Sequence, residues 1–391
     1  MTQGNIYLDF NATTPVHAQV QARLLEWVSF WGNPSSIHRD GRHPKKLLRE
    51  SRRTLAQALN CHPLELVFTS CGSEANNLAI KGCLSALKEK NSLRNRVLLG
   101  AIEHPSVLKQ EKELRLQGFE VIKIPVNREG QYNLDFFKKH LDDKVGLVSV
   151  MLANNEVGVI APVHEMVQMT HQAGGYFHSD LVQALGKMPF ALKELDVDLA
   201  SFSSHKVYAL KGAGLLYSKK GTPLNSILQG GAQERGRRAG TENLLAIASF
   251  AHMVQHFQEH PLGSSLASLR DHMEKQIENK VSGVQFLCRK QERLPNTSSF
   301  FISGVSGESL LMNLDIRGFS VGTGAACSSG NPEPSPVLLA MGLSHAEAQS
   351  SLRVSLGAST TSEQIDLFVN NLSEVVTHLR ELDKVEMSYG Q

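Results

Sequence analysis

From about residue 60 to residue 220, short apolar runs alternate with longer stretches whose apolar residues recur at helical spacing. The runs LELVFTS (64–70), RVLLGAI (96–102), FEVIKIPV (119–126), GLVSVMLA (146–153), GYFHSD (175–180), DLASFS (198–203) and GLLYS (214–218) predict strands. Between the first two, SEANNLAIKGCLSALKEK (73–90) sets Ala75, Leu78, Ala79, Cys83, Ala86 and Leu87 on one helical face. Further helices are predicted around 104–117, 134–141 and 162–173. Mostly apolar strands alternating with helices predict an α/β fold with a largely parallel sheet covered on both faces.

After residue 240 the pattern changes. A long amphipathic helix is predicted over 242–281, broken at HPLGSS. VQFLC, TSSFFIS, a helix at GESLLMNL, FSVGTG, LRVSLG and a last helix over 362–381 follow, with Thr361 and Gln364 placed to cap that helix. This predicts a smaller α+β domain. The expected division is residues 16–255 for the large domain, and 1–15 with 256–391 for the small one.

Composition narrows the function classes. The 40 basic and 38 acidic residues nearly cancel, which argues against a strongly electrostatic nucleic-acid or membrane binder. No apolar run approaches the roughly 20 residues that span a bilayer. The first residues show no signal-peptide pattern. The 5 cysteines are odd in number and form no CxxC pair, so disulfide scaffolding and a metal site are not expected and a reducing cytoplasm is.

The predicted strand ends carry the polar groups. In open α/β sheets, ligands bind at the carboxyl ends of the strands. LVFTS is followed by CGSEANN, with Gly72 and Ser73 at a helix start suited to phosphate. The other ends bring His104 (EHPSV), Asn154 and Asn155 (NNEVG), His178, Asp180 and Gln183 (HSDLVQ), and His205 and Lys206 (SHKVY). Each has an ordinary reading: Ser73 and Asp180 as helix caps, the asparagines as turn formers, His104 as a hydrogen-bonded loop residue, Lys206 as a solvated lysine. Together, a phosphate site, a carboxylate, an amide, an imidazole and a lysine on one edge suit a phosphorylated aromatic aldehyde, pyridoxal phosphate. GGAQERGRRAGTEN (230–243) joins glycines to Arg235, Arg237, Arg238 and Thr241, either an anion-binding loop or a basic surface loop. Arg353 sits within an apolar strand, as a carboxylate clamp or a strand-edge arginine. Cys327 lies in GTGAACSSG (322–330), a run of small residues that predicts an accessible, mobile loop.

Ordered along nearly the whole chain, YLDFNATTP, GNPSSIH, FTSCGSEANNLAIKG, EHPSV, NNEVG, HSDLVQALGK, SFSSHKVY, ERGRRAGTEN, GTGAACSSG and RVSLG resemble the group I (NifS/IscS-type) cysteine desulfurases, fold-type-I pyridoxal-phosphate enzymes. The resemblance implies that Lys206 bonds the cofactor, His104 stacks on its ring, Asp180 pairs with the ring nitrogen and Gln183 with the phenolic oxygen. Gly72, Ser73, Ser203 and His205 would hold the phosphate, with Thr241 added from the partner subunit of a homodimer. Asn155 and Arg353 would take the carboxylate of L-cysteine, and Cys327 would accept its sulfur as a persulfide and pass it to a protein acceptor such as an iron–sulfur scaffold. A selenocysteine lyase or sulfide-releasing β-lyase of the same fold, and a catalytically quiet sulfur-transfer scaffold, are the competing readings. The chain departs from the family pattern at Ser73 (threonine is common), at Ala209 and Leu210 (usually Gly-Pro) and at Ala232 (usually glycine).

Overall fold

The computed structural model describes residues 5–90, 92–323 and 333–389, with side chains through residue 382. Its largest sheet has seven strands. They are β2 (Leu66–Thr69), β3 (Arg96–Gly100), β4 (Glu120–Ile124), β5 (Val145–Ser149), β6 (Tyr176–Asp180), β7 (Leu199–Ser203) and β8 (Gly214–Ser218). Their spatial order is β2-β8-β7-β6-β5-β3-β4. All neighbours run parallel except β8, which is antiparallel to both β2 and β7. Every residue of β5, β7 and β8 is buried, as expected of strands covered on both faces.

The polar residues inside these strands satisfy one another. His178 on β6 lies between Ser149 Oγ of β5, at 2.8 Å from its Nδ1, and Ser201 Oγ of β7, at 2.9 Å from its Nε2. Full burial pushes this imidazole down to about 3, so it is neutral. His178 is therefore part of the sheet and stands apart from the cavity described below.

The helical stretches follow the pattern with local differences. The helix after β2 runs over Gly72–Asn77, widens to a π turn at Leu78–Gly82 and continues as Cys83–Glu89. The stretch predicted at 104–117 is two short helices, Pro105–Leu108 and Glu111–Leu116. The long helix predicted over 242–281 is Leu244–Glu259 and Gly263–Lys280, broken at the expected place.

The remaining strands are β1 (Ile6–Tyr7), β9 (Val284–Phe286), β10 (Thr297–Ile302), β11 (Phe319–Ser320) and β12 (Ser351–Ser355). β12, β10 and β9 form an antiparallel sheet, and β1 pairs parallel with β11. Around them Leu8, Met273, Ile277, Phe300, Phe319, Leu352 and Phe368 form an apolar cluster distinct from the one under the large sheet. The last helix, Ser362–Tyr389, starts with the expected pair: Gln364 N–H donates to Thr361 Oγ1 at 3.3 Å, and Thr361 N–H to Gln364 Oε1 at 3.2 Å.

One glycine joins the large sheet to the turn after β2. Gly214 pairs with Thr69, and a Cβ at Gly214 would lie 2.4 Å from the Cys71 carbonyl carbon and oxygen. Those atoms are backbone and cannot swing aside. Gly214→Ala is expected to lower stability by about 1–3 kcal/mol through overpacking, read as a lower denaturant midpoint. An unchanged midpoint would show that the Cys71 turn moves freely.

Candidate active site

A cavity of about 400 Å³ opens at the carboxyl ends of the parallel strands. Its wall holds Gly72, Ser73, His104, Asn155, Asp180, Gln183, Ser203, His205, Lys206 and Arg353, ten of the residues singled out from the sequence. Thr241 is exposed and does not line it. Cys327 lies outside the described residues.

Lys206 sits in the tight turn that follows β7. Ser204 Oγ fastens this turn to the carbonyls of Leu210 (2.6 Å) and Ala213 (2.8 Å). Thr14 clamps it from the N-terminal segment: its N–H and its hydroxyl both donate to the His205 carbonyl at 3.0 Å, and Tyr208 N–H donates to Thr14 Oγ1 at 2.7 Å. Tyr208 has a left-handed φ of 61°, an unusual conformation for an aromatic residue, held by this bond and by Ala358 N–H donating to its hydroxyl. At the departure beside it, Leu210 N–H donates to Ser249 Oγ at 3.1 Å, a bond that proline could not make.

The Lys206 amine donates to the main-chain carbonyls of Asn11 and Ala12. Burial, followed by the Arg353 charge, pushes it down to about 8, while Asp9 and Asp180 pull the other way. A second amine lies close behind. Lys187 is buried and donates to Asn11 Oδ1 at 2.8 Å and to Gln183 Oε1. That bond turns the Gln183 amide so that Nε2 donates to the Asn11 carbonyl at 3.0 Å. Burial, then Lys206 and Arg353, hold the Lys187 amine well below the usual lysine range.

Gly72, Ser73, Ser203 and His205 line one part of the wall. Ser73 is not the helix cap: Cys71 is, its Sγ accepting from Glu74 N–H at 3.4 Å. Ser203 Oγ is buried with no hydrogen-bond partner, a donor awaiting an acceptor. A Cβ on Gly72 would meet Val182 Cγ2 at 3.1 Å and Ser203 Cβ at 3.2 Å, so glycine keeps this corner open. Burial first, then the Lys206, Lys211 and Lys187 charges, push His205 down to about 4. The wall also offers the Asp180 carboxylate, whose Oδ1 accepts from Val182 N–H at 2.9 Å. An unpaired buried hydroxyl, an open glycine corner, a carboxylate and a depressed amine fit a phosphorylated aldehyde.

Arg353 completes the wall. Its Nη2 is 2.6 Å from Asp9 Oδ1, its Nη1 donates to the Asn155 carbonyl at 3.1 Å, and its buried Nε has no partner. Asn155 Oδ1 is likewise buried and unpartnered, whereas Asn154 is a turn former, its Oδ1 accepting from Glu156 and Val157 N–H. The described flanks of the Cys327 segment are tied here. Gly322 and Arg353 exchange backbone hydrogen bonds of 3.0 and 2.7 Å, and Ser335 Oγ donates to Glu156 at 2.5 Å. Among the described cysteines, burial pushes Cys61 and Cys288 up to about 12 and Cys83 higher, which makes them poor nucleophiles.

The arginine-rich loop is mostly occupied with itself. Arg238 pairs with Glu74 at 2.8 Å, Arg237 donates to the Leu66 carbonyl at 3.1 Å, and Glu234 holds Arg52 and the Phe68 N–H. Arg235 is exposed. The cavity also uses residues that the sequence reading did not single out: Asn11, Asn76 and Ser106 on its wall and Lys187 behind it. All four lie inside the quoted family segments, but asparagine and serine there read equally well as caps, and Lys187 reads as a surface lysine.

The amine environment predicts a measurable titration. In cofactor-free protein, competitive acylation of Lys206 is expected to follow a midpoint near 8. Asp9→Asn removes a neighbour that holds the ammonium form, so the midpoint should move down. A midpoint that rises would contradict the electrostatic assignment.

Comparison with known proteins agrees with this geometry. The family model described as Aminotransferase class-V matches residues 6–368. A relative named cysteine desulfurase IscS, from Dictyoglomus turgidum, is 38% identical over 387 residues, covering 98% of both chains. Cysteine desulfurase NifS of Azotobacter vinelandii is 39% identical over 381 residues, covering 96% of this chain and 94% of its own. A solved NifS-like protein superposes with a TM-score of 0.88 at 33% identity, covering 96% of this chain and all of its own. With the family model matched from the first strand into the last helix, the chain belongs to the class-V aminotransferases.

Proposed function

We propose that this protein is a pyridoxal-phosphate-dependent cysteine desulfurase. The observation that carries the reading is the convergence of Lys206, Asp180, Gln183, His104, the Gly72–Ser73 corner and Arg353 on one cavity. When bound, pyridoxal phosphate supplies an electron sink for the carbon skeleton of the substrate. The chain's own residues do the rest. Lys206, with its depressed amine, would hold the aldehyde. Gly72, Ser73, Ser203 and His205 would seat the phosphate, and Asp180 would pair with the ring nitrogen. Gln183, oriented by Lys187, would serve the phenolic oxygen, and His104 would stack on the ring. Asn155 and the unpaired Nε of Arg353 receive the L-cysteine carboxylate.

Cys327 is the sulfur acceptor in this reading. Its thiolate attacks the substrate Sγ; the new S–S bond replaces the substrate Cβ–S bond, and Cβ takes a proton. L-cysteine and a thiol become L-alanine and a persulfide, with Cys327 oxidised and Cβ reduced. Support comes from the flanks of its segment, tied at Gly322 to Arg353 of the cavity wall and at Ser335 to Glu156, the residue after Asn155 of that wall. A segment anchored at both ends beside the substrate, and rich in glycine and serine between, suits a thiol that receives sulfur and then offers it to a protein acceptor.

The active unit in this reading is a homodimer. Thr241 is exposed and does not line its own cavity, which suits the contact with a neighbouring copy's phosphate that the family resemblance implies. Residues 16–255 form the cofactor-binding domain, and residues 1–15 with 256–391 the domain that carries Cys327. The four described cysteines are free thiols, which suits a cytoplasmic enzyme. Among the described residues no helix is long and apolar enough to cross a membrane.

Two variants test the reading. Cys327→Ala should bind cysteine and form almost no alanine, while the wild type given cysteine alone should gain one reducible sulfur on the Cys327 peptide. Sulfur on another cysteine, or undiminished sulfide release by the variant, would favour a lyase. Arg353→Ala loses a charge-assisted pair worth about 1.5–3 kcal/mol, so the apparent KM for cysteine should rise about 10–150-fold. Unaltered kinetics would leave Arg353 as a partner of Asp9 only.

A further inference from the structure

His104 heads the short helix Pro105–Leu108, and its Nδ1 faces inward onto its own turn. Ser106 N–H donates to that Nδ1 at 3.1 Å, and Ser106 Oγ lies 2.7 Å from it. Beyond Ser106 stands Asn76, buried in the helix after β2. Asn76 Nδ2 is 2.9 Å from Ser106 Oγ and 2.7 Å from Asp180 Oδ2.

Chemistry fixes the direction of every bond in this chain. A carboxylate accepts hydrogen bonds and donates none, so Asn76 must turn its NH₂ toward Asp180. The reversed amide would set two oxygens against each other. The second amide hydrogen then goes to Ser106 Oγ. Ser106, accepting from Asn76, keeps its own hydrogen for His104 Nδ1. That nitrogen has one lone pair in the ring plane and receives both the hydroxyl and the backbone N–H of Ser106. A proton on Nδ1 would face the Ser106 N–H and leave that donor unpaired.

We infer that Asn76 and Ser106 are positioning residues that transmit the orientation set by Asp180 to His104 and hold its imidazole as the neutral tautomer protonated at Nε2. The inference rests on the proposed placement of His104 against the cofactor ring. Any proton that His104 gives or takes during the reaction then passes through Nε2. The charged groups acting on the ring are Asp180 from β6 and Lys206 from the turn after β7. Burial, the largest influence, disfavours the imidazolium; Asp180 opposes it and Lys206 adds to it.

The test is nitrogen NMR of the holoenzyme labelled with ¹⁵N-histidine, with His104→Gln to assign the signals. The expected spectrum shows an unprotonated Nδ1 and a protonated Nε2 at neutral pH. Ser106→Ala removes one donor to the neutral ring, so the protonation midpoint of His104 should rise by about half to one pH unit, carrying the acid limb of the pH–rate profile with it. Ser106→Thr keeps the hydroxyl and should restore the wild-type midpoint. Asn76→Leu frees the hydroxyl to rotate and should raise the midpoint by a smaller amount. A proton on Nδ1 in the wild type, or a midpoint that Ser106→Ala leaves in place, overturns the inference. The NMR readout does not pass through alanine formation, so a failure of the desulfurase reading would appear separately, as cysteine left unconverted.

Discussion

The carbonyl oxygen of Asn11 is the point on which the site closes. It accepts from both the Lys206 amine and the Gln183 amide, while the Asn11 side chain accepts from Lys187 and Asn296 and donates to the Asn155 carbonyl and Thr297 Oγ1. Asn11 therefore touches the lysine turn after β7, the segment after β6, the Asn155 loop and β10 at once. The N-terminal segment that carries it leaves β1, gives Leu8 to the cluster around the smaller sheets and Phe10 to the cluster under the large sheet, and clamps the lysine turn through Thr14. Were this segment displaced, the amine would lose its acceptors and Gln183 its orientation together.

Desolvation is the second constraint, and it follows from the first. Packing Asn11 over the strand ends buries Lys187 and several amides and half-buries Lys206 and Arg353, with few carboxylates to balance them. Asp9 pairs with Arg353, and Asp180 accepts from Asn76 and Val182. The amines respond by favouring the neutral form, which for Lys206 brings the nucleophilic state within reach of neutral pH. The same burial silences His178 within the sheet and three cysteines away from the site. Reactivity thus depends on where water is excluded as much as on which side chains are present.

Periodicity made the large sheet legible. β2 to β8 fall within their predicted runs, or within one residue, because strands buried on both faces are written as continuous apolar segments. The antiparallel direction of β8 was not legible, since direction depends on the connection and not on the strand's own residues. Most of the cavity wall was readable because each polar group stands at a strand end. Thr241 was readable only through family resemblance, as nothing local ties it to a phosphate. Cys71 takes the cap that the ordinary reading of Ser73 assigned to the serine, because the helix already begins at Gly72. Lys187 and Asn11 were missed for a physical reason: a lysine near the end of an apolar run and an asparagine in a loop look solvated until tertiary packing buries them.

Two lysines meet at Asn11, Lys206 on its main-chain carbonyl and Lys187 on its side-chain oxygen, so the central claim is that Lys206 and not Lys187 bonds the cofactor. Lys187 is tied to two amide oxygens behind Gln183, while Lys206 lines the cavity itself. Borohydride reduction of the purified, cofactor-loaded protein, followed by peptide mass mapping, separates them. The account predicts the reduced cofactor's mass on the peptide that holds Lys206, in stoichiometric yield. The same mass on Lys187 or Lys211, or no stable attachment at all, would contradict it.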